Sequence, residues 1–165
     1  MKPKSFFGIL LLLGLPFSIY AQDNAGDTSN LSSTAKMLLN RTYQFTATYV
    51  QPMSGRQKNV IGDNYTFKVN KNELEADLPY FGKSTSAPIG STDGGMKFTS
   101  KDFTYESKPL TKSREQITIK PKDVNDVQEI SLTVFPDGTT DLRINSNSRQ
   151  AISYRGNIDA LKPVK

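Results

Sequence analysis

From residue 42 onward, apolar side chains alternate with polar ones in short runs, and this period of two constrains the fold more than any other feature. Successive side chains of a β-strand point to opposite faces, so each run predicts a strand with one buried face. The first run places four apolar residues on one face: Tyr43, Phe45, Ala47 and Tyr49. The last run does the same with Ile152, Tyr154, Gly156 and Ile158.

Turn signals separate these runs at near-regular intervals. Residues 70–72 (Asn-Lys-Asn) lie between two alternating runs and predict a hairpin. Asp137-Gly138 is a dipeptide favoured in tight hairpin turns. The runs together predict an all-β protein, an antiparallel meander of about eight strands. The pattern leaves open whether the meander closes as a barrel or folds as a β-sandwich, because both have the same period.

A short N-terminal helix is predicted before the first strand. Four apolar residues recur there near helical spacing: Leu31, Ala35, Leu38 and Leu39. Ser29 or Asn30 is the expected N-cap, and Asn40 stands where the helix ends. Residues 31–162 are therefore interpreted as one β domain that includes this helix.

The first 21 residues have the order of a cleavable secretory signal. Lys2 and Lys4 form a positive start, residues 6–15 form an apolar stretch, and Ala21 offers a small residue at the cut point. The apolar stretch is shorter than the roughly 20 residues of a transmembrane helix, and no later segment is apolar enough to span a membrane. We expect cleavage near Ala21 and a periplasmic or secreted mature chain. It would begin with a flexible leader, residues 22–30.

The absence of cysteine and histidine excludes whole classes of chemistry. Without them the chain has no disulfide, thiol nucleophile, thiolate metal site, Ser-His-Asp triad or imidazole ligand. The net charge of +5 is spread along the chain without a polybasic run, which argues against nucleic acid as a partner. The composition therefore favours a non-catalytic protein without a cofactor.

Two acidic groups have ordinary interpretations. Glu73, Glu75 and Asp77 alternate with apolar residues, so we expect them on the solvent face of a strand. The acidic turn at residues 123–126 lacks the ligand spacing and the distal glutamate of a calcium-binding EF-hand. No catalytic residue and no metal ligand are predicted.

The stretch Pro79-Tyr80-Phe81-Gly82 holds two large aromatic residues at a sharp turn. Pro79 does not extend a central strand, and Gly82 permits a second change of direction. We expect at least one of the two aromatic side chains to be buried as a plug over one end of the barrel. The alternative is a ligand-facing lip at the barrel mouth. Tyr80, Phe81 and Tyr154 of the last strand are the candidate ligand-binding residues.

Two blocks resemble a known family. They are Leu-Pro-Tyr-Phe-Gly at residues 78–82 and Ser-Tyr-Arg-Gly at residues 153–156. Together with the order of helix, strands and turns, they resemble the domain-of-unknown-function 4251 family of exported bacterial proteins, over roughly residues 36–162. The resemblance implies a lipocalin-like β-barrel and carries no activity with it.

The predicted architecture leaves two functions open. An eight-stranded barrel is wide enough to hold one small ligand, which favours an exported non-catalytic protein that binds a small, partly apolar molecule. The alternative is a structural or protein-interaction module of the cell envelope, with a filled core. A carboxylate-dependent hydrolase is the least favoured hypothesis, because no group is placed to activate a nucleophile.

Overall fold

The computed structural model describes residues 32–83 and 94–161. In these ranges helix α1 (Ser33–Leu39) accompanies ten strands: β1 (Thr42–Pro52), β2 (Lys58–Asn59), β3 (Thr66–Asn70), β4 (Glu73–Leu78), β5 (Met96–Ser100), β6 (Phe103–Leu110), β7 (Arg114–Pro121), β8 (Val127–Val134), β9 (Thr139–Ser146) and β10 (Ile152–Asp159). The predicted all-β class with one short helix is confirmed. The predicted signal peptide (1–21) and leader (22–30) lie outside the described residues.

The strands form one antiparallel sheet in which neighbours in sequence are mostly neighbours in space. Its order is β5-β4-β3-β1-β10-β9-β8-β7-β6, with β2 paired to β1. The pairing of β1 with β10 joins the two ends of the meander, as in a barrel. β5 and β6 follow each other in the chain, yet they are the two edges of the sheet. The fold is therefore a curled half-barrel, with more strands than the predicted eight and without the two sheets of a sandwich.

The inward faces of the strands form one hydrophobic core. Its largest fully buried side chains come from strands all around the sheet: Tyr43, Phe45, Phe67, Leu74, Ile117, Ile130, Leu142 and Tyr154. Burying one Leu, Ile or Phe side chain stabilises a fold by about 1.5–3 kcal/mol relative to leaving it exposed. A chain without disulfides can be held by such a core, since most strands contribute one apolar face.

A β-bulge changes the predicted pattern of β1. The register against β10 shifts between Ala47 and Tyr49, where the extra residue reverses the alternation. Val50 and Pro52 consequently face the core, whereas Tyr49 is 36% exposed. The prediction that Tyr49 shares the buried face of the strand is wrong for this reason.

Helix α1 begins one turn later than the predicted caps suggest. Ser32 is the N-cap, and its Oγ accepts a hydrogen bond from the Ala35 N–H at 3.1 Å. Leu38 is buried against the sheet, as its position predicts, but Leu39 is 63% exposed. A seven-residue helix that contacts the sheet along one side buries only a narrow stripe.

The acidic residues singled out in the sequence serve ordinary structural roles. Glu73, Glu75 and Asp77 are exposed on β4, as predicted, and each has a lysine partner within 3.6 Å. Such exposed pairs contribute little to stability. Asp123 instead accepts hydrogen bonds from the backbone N–H groups of residues 101 and 102, in the turn between β5 and β6.

No helix within residues 32–83 and 94–161 is long and apolar enough to cross a membrane.

Candidate functional site

A cleft of about 660 Å³ lies between helix α1, the start of β7 with the facing part of β6, and the turn between β8 and β9. Its volume is within the range of small-molecule pockets. The apolar part of the wall comes from the helix and the turn: Ala35, Leu38, Leu39, Val134, Phe135 and Pro136. The polar part has the smaller surface area and consists of Ser32, Thr34, Arg41, Tyr105, Ser107, Ser113 and Glu115.

Two contacts hold the helix side of this cleft. Thr34 is buried, and its hydroxyl donates to the Pro136 carbonyl at 3.4 Å, which ties α1 to the β8–β9 turn. At the other end of the helix the chain reverses at Arg41, whose φ of 51° lies in the left-handed region. The Arg41 N–H donates to the Leu38 carbonyl at 3.1 Å, and the Arg41 carbonyl accepts from the Lys71 N–H at 2.7 Å. The backbone of Arg41 is thus fixed from both sides.

Arg41, Tyr105 and Tyr43 form a polar row from the cleft into the core. The Arg41 guanidinium carbon lies 4.6 Å from the centre of the Tyr105 ring, within the range of a cation–π contact. The Tyr105 hydroxyl lies 3.3 Å from the hydroxyl of Tyr43, which is fully buried beneath it. The wall of the cleft therefore includes one cation and one half-buried phenol.

The environment raises the pKa of both phenols. Burial, followed by the proximity of Tyr105, raises the pKa of Tyr43 well above its ordinary value. Burial also raises the pKa of Tyr105, but the hydrogen bond with Tyr43 and the charge of Arg41 oppose that rise. Tyr105 is consequently the more acidic of the two, and both are neutral near pH 7.

Glu115 and Ser107 form a second polar group of the cleft wall. The Ser107 hydroxyl donates to Glu115 Oε1 at 2.6 Å across the β6–β7 pair. Ser113 lies in the connecting turn, where Lys112 and Ser113 both have positive φ values, of 61° and 53°. Two successive left-handed residues match the twist of a two-stranded hairpin, and this turn holds the edge strand β6 against the rest of the sheet.

The chemistry of the cleft suits binding. Its wall combines an apolar surface with a few polar groups that can orient a ligand. Among residues 32–83 and 94–161, no group of three or more acidic side chains is arranged to hold a metal ion. The wall also has no side-chain pair in which a base contacts a nucleophile, apart from the Ser107–Glu115 hydrogen bond at its rim.

The three residues predicted to bind a ligand lie elsewhere, around the segment that follows β4. Tyr154 is buried and donates to the Pro79 carbonyl at 2.8 Å. Tyr80 is half-buried, and its hydroxyl is 2.8 Å from the Lys83 carbonyl and 3.1 Å from the Gln150 carbonyl. Phe81 is 37% exposed. Ligand binding by these three residues stays a prediction; the structure shows what holds two of their hydroxyls.

Phe81 does not fill the role of a buried plug. Its ring lies under the Lys58 ammonium, with the nitrogen 3.7 Å from the ring centre. The ring of Tyr80 packs against the core instead. Its hydroxyl lies within hydrogen-bond distance of two backbone carbonyls. A tyrosine in this turn can satisfy backbone groups while its ring covers apolar surface, which a phenylalanine cannot do.

Arg149 organises the same region and was not predicted. Its Nε lies 3.1 Å from Asp126 Oδ2, an ion pair whose angle does not make it a hydrogen bond. Its Nη1 donates to the carbonyls of Gly94 and Gly95, and its guanidinium carbon is 5.2 Å from the Tyr80 ring centre. Asp126 also accepts from the hydroxyl of Ser146. The acidic turn considered as a calcium loop is thus an arginine-binding turn.

The residues that build the cleft were also missed in the sequence. Neither Tyr105 nor Arg41 stands out in the sequence patterns. One signal was available for Arg41: it directly follows Asn40, at the position after a helix where glycine or asparagine is usual. An arginine there has a side chain that glycine would lack, at a cost in backbone conformation.

The fold is shared with a protein of known structure. No curated protein matches the chain significantly. A solved structure that is similar to the chain is the crystal structure of a DUF4251 family protein from Bacteroides eggerthii DSM 20697, with a TM-score of 0.60 and 14% sequence identity. The alignment covers 77% of this chain and 85% of that one. At this identity the likeness shows a shared fold. Residues 26–158 match the family described as "Domain of unknown function (DUF4251)". The chain is therefore a member of the DUF4251 family.

Proposed function

We propose that this chain is an exported, non-catalytic binding protein that holds a small, partly apolar molecule in the cleft beside α1. The observation that carries the proposal is the cleft itself, about 660 Å³ in volume. It has an apolar wall around Leu38 and Phe135 and a small set of polar groups, the composition expected of a small-molecule site. The signal-like residues 1–21 support export to the periplasm or the medium.

The chemistry of the chain supports the non-catalytic part of the proposal. Without histidine or cysteine, a hydrolytic site would have to be built from carboxylates or lysines. Glu115 is the carboxylate of the cleft, and it already accepts the Ser107 hydroxyl. The two phenols of the cleft row are protonated near pH 7, because burial raises the pKa of each.

A structural or protein-interaction role in the cell envelope is the second candidate. It is favoured by two large apolar side chains near β2, Met53 at 67% exposure and Ile61 at 62% exposure. Exposed apolar surface marks contact sites in many proteins. In this function the cleft would stay empty and the β1–β2 region would contact a partner protein.

The experiment is native mass spectrometry of the protein purified from its own cell envelope. We expect a bound small molecule in the wild type and its loss in Ala35→Phe, which places a ring in the cleft. Lys36→Phe is the matched control, since it adds the same ring to an exposed position of the same helix that does not line the cleft. Wild-type protein without any bound molecule, or equal retention in Ala35→Phe, would contradict the proposal.

A further inference from the structure

We propose that the ligand of the α1 cleft carries a carboxylate, and that Arg41 binds it. This inference rests on the proposed binding function and adds to it the chemical class of the ligand: an amphipathic molecule with one anionic end and one apolar end. Its basis is the unused N–H donors of Arg41, the hydrogen bonds that fix its backbone, and the charged side chains of the cleft wall.

Arg41 has unused hydrogen-bonding capacity. Four other arginines have partners for their side chains: Arg114 donates to Thr111, Arg143 to Asn145 and Arg149 to Gly95, and Arg155 pairs with Asp141. Arg56 has none among the described residues either, but it is exposed and does not line the cleft. Within residues 32–83 and 94–161, no carboxylate lies within 4.0 Å of the Arg41 guanidinium and no acceptor takes its N–H groups. The guanidinium contacts the Tyr105 ring instead.

The contact with the Tyr105 ring leaves the N–H donors of the guanidinium free. A guanidinium carries five N–H donors in its plane, so stacking on an aromatic ring does not engage them. Two parallel N–H groups match the two oxygens of a carboxylate, and such bidentate pairs are among the strongest hydrogen-bonded contacts in proteins. Tyr105 thus holds the orientation of Arg41 while its donors remain available to a ligand.

The backbone at Arg41 offers a way to test the role of this residue in binding. Its φ of 51° would suit glycine better, and its carbonyl and N–H are both held by hydrogen bonds. Strain of this kind does not by itself indicate function, because Lys71 and Lys112 share it in ordinary turns. At Arg41 it also provides a test, since glycine there relieves the strain and removes the cation together.

The cleft wall carries two opposite charges, and they bear on where the head group of the ligand binds. Glu115 is the other ionised group of the wall, and it acts on Tyr105 electrostatically in the opposite sense to Arg41. A carboxylate is repelled by Glu115 and attracted by Arg41, so it binds against the Arg41 guanidinium. Leu38, Val134 and Phe135 supply apolar surface for the remaining part of the molecule.

The first experiment compares three ten-carbon probes by isothermal titration calorimetry on the mature chain at pH 7, each below its micelle concentration. The probes are decanoate, 1-decanol and decylamine, which share one tail and differ in head-group charge. We expect decanoate to bind about tenfold or more tightly than decanol, as a charge-assisted hydrogen bond permits. Equal or tighter binding of decanol or decylamine would overturn the carboxylate while leaving the binding function in place. Absence of binding by all three would count against the binding function as well.

The second experiment changes Arg41. Arg41→Gln keeps much of the length of the side chain and removes the charge, and we expect decanoate affinity to fall about tenfold or more while decanol affinity stays unchanged. Arg41→Gly should give the same loss with wild-type thermal stability, which separates binding from folding. Arg56→Gln is the control, because Arg56 is exposed and does not line the cleft. Decanoate binding within twofold of wild type in both Arg41 variants would overturn the inference.

Discussion

The hydroxyl groups of Tyr43 and Tyr105 lie 3.3 Å apart, although the two residues are 62 positions apart in the sequence. Tyr43 belongs to β1 near the middle of the sheet and Tyr105 to the edge strand β6, and four strands lie between them in the sheet order. This contact crosses the inside of the half-barrel. It links the buried core to the wall of the cleft.

The two tyrosine hydroxyls should contribute unequally to stability. Tyr105→Phe leaves the fully buried Tyr43 hydroxyl without its partner, which costs about 1–3 kcal/mol. Tyr43→Phe leaves a hydroxyl that borders the cleft and can reach water, at a cost of about 0.5–1.5 kcal/mol. Urea unfolding of both single variants and the double variant measures this, and the double variant should cost less than the sum. A larger loss in Tyr43→Phe than in Tyr105→Phe would contradict the assignment.

Stability should fall steeply at alkaline pH. Burial raises the pKa of Tyr43, Tyr105 and Tyr154 in the folded state, whereas an unfolded tyrosine has a pKa of about 10. Above that pH the unfolded chain releases protons that the folded chain retains, so the free energy of unfolding decreases as pH rises. Below it this contribution is fully present. Urea unfolding between pH 8 and pH 11 measures the slope, which Tyr43→Phe should reduce; an unchanged slope in that variant would count against a raised pKa.

Gly156→Ala should destabilise the protein severely. A Cβ at this position would lie 1.9 Å from the Thr46 carbonyl oxygen and 2.9 Å from Phe45 Cε2, because β1 approaches β10 closely beside the bulge. A backbone oxygen cannot rotate away as a side chain can, so we expect a cost of about 3 kcal/mol or more. Gly94→Ala is the control, since no atom of the described residues lies within 4 Å of its Cβ position. Equal thermal stability of the two variants would refute this close approach.

Asp123→Asn should weaken the turn that joins the two edges of the sheet. The Ser100 hydroxyl, followed by the Lys101 N–H, holds the pKa of Asp123 below its ordinary value. Such a carboxylate stabilises the fold at pH values above its ordinary pKa of about 4 and loses this effect as pH falls through the lowered pKa. The variant should therefore be less stable than wild type at pH 7, and the gap should narrow toward pH 2.

Urea unfolding at pH 7, 5, 3 and 2 measures that gap. Asp63→Asn is the matched control, because Asp63 is exposed and its carboxylate accepts no hydrogen bond from the described residues. A difference between Asp123→Asn and wild type that stays constant down to pH 2 would show that charge at residue 123 has no part in the turn.

Tyr80 and Phe81 should respond differently to truncation. Phe81→Ala removes a side chain that is 37% exposed, so we expect a cost below about 1 kcal/mol. Tyr80→Ala removes a ring packed on the core and a hydroxyl that contacts two backbone carbonyls, at about 2 kcal/mol or more. Thermal unfolding of both variants compares the two. A larger effect of Phe81→Ala would indicate that Phe81 is the buried aromatic side chain of the predicted plug.

Local patterns predicted the elements of this fold well. The alternation of Phe67 and Val69 with polar residues, and the Asp137-Gly138 turn, appear in the structure as strands and a hairpin because each depends on residues within a few positions. The bulge at Ala47–Tyr49 was missed, since one inserted residue leaves no local mark in an otherwise regular run. The helix cap shifted to Ser32 for a similar reason, as several neighbouring polar residues could fill that position.

What the sequence by itself determined is therefore the class of the protein: strands with one apolar face, short turns, and a chemistry without histidine or cysteine. Only the tertiary structure decided that β5 and β6 are the two edges of the described sheet, and that Arg41 meets Tyr105 at a cleft. The period of two is the same in a closed barrel, an open half-barrel and a sandwich, so it cannot distinguish them. Pairing between distant strands depends on how all the apolar faces pack at once, and the cleft exists only where that packing leaves α1 and β6 apart.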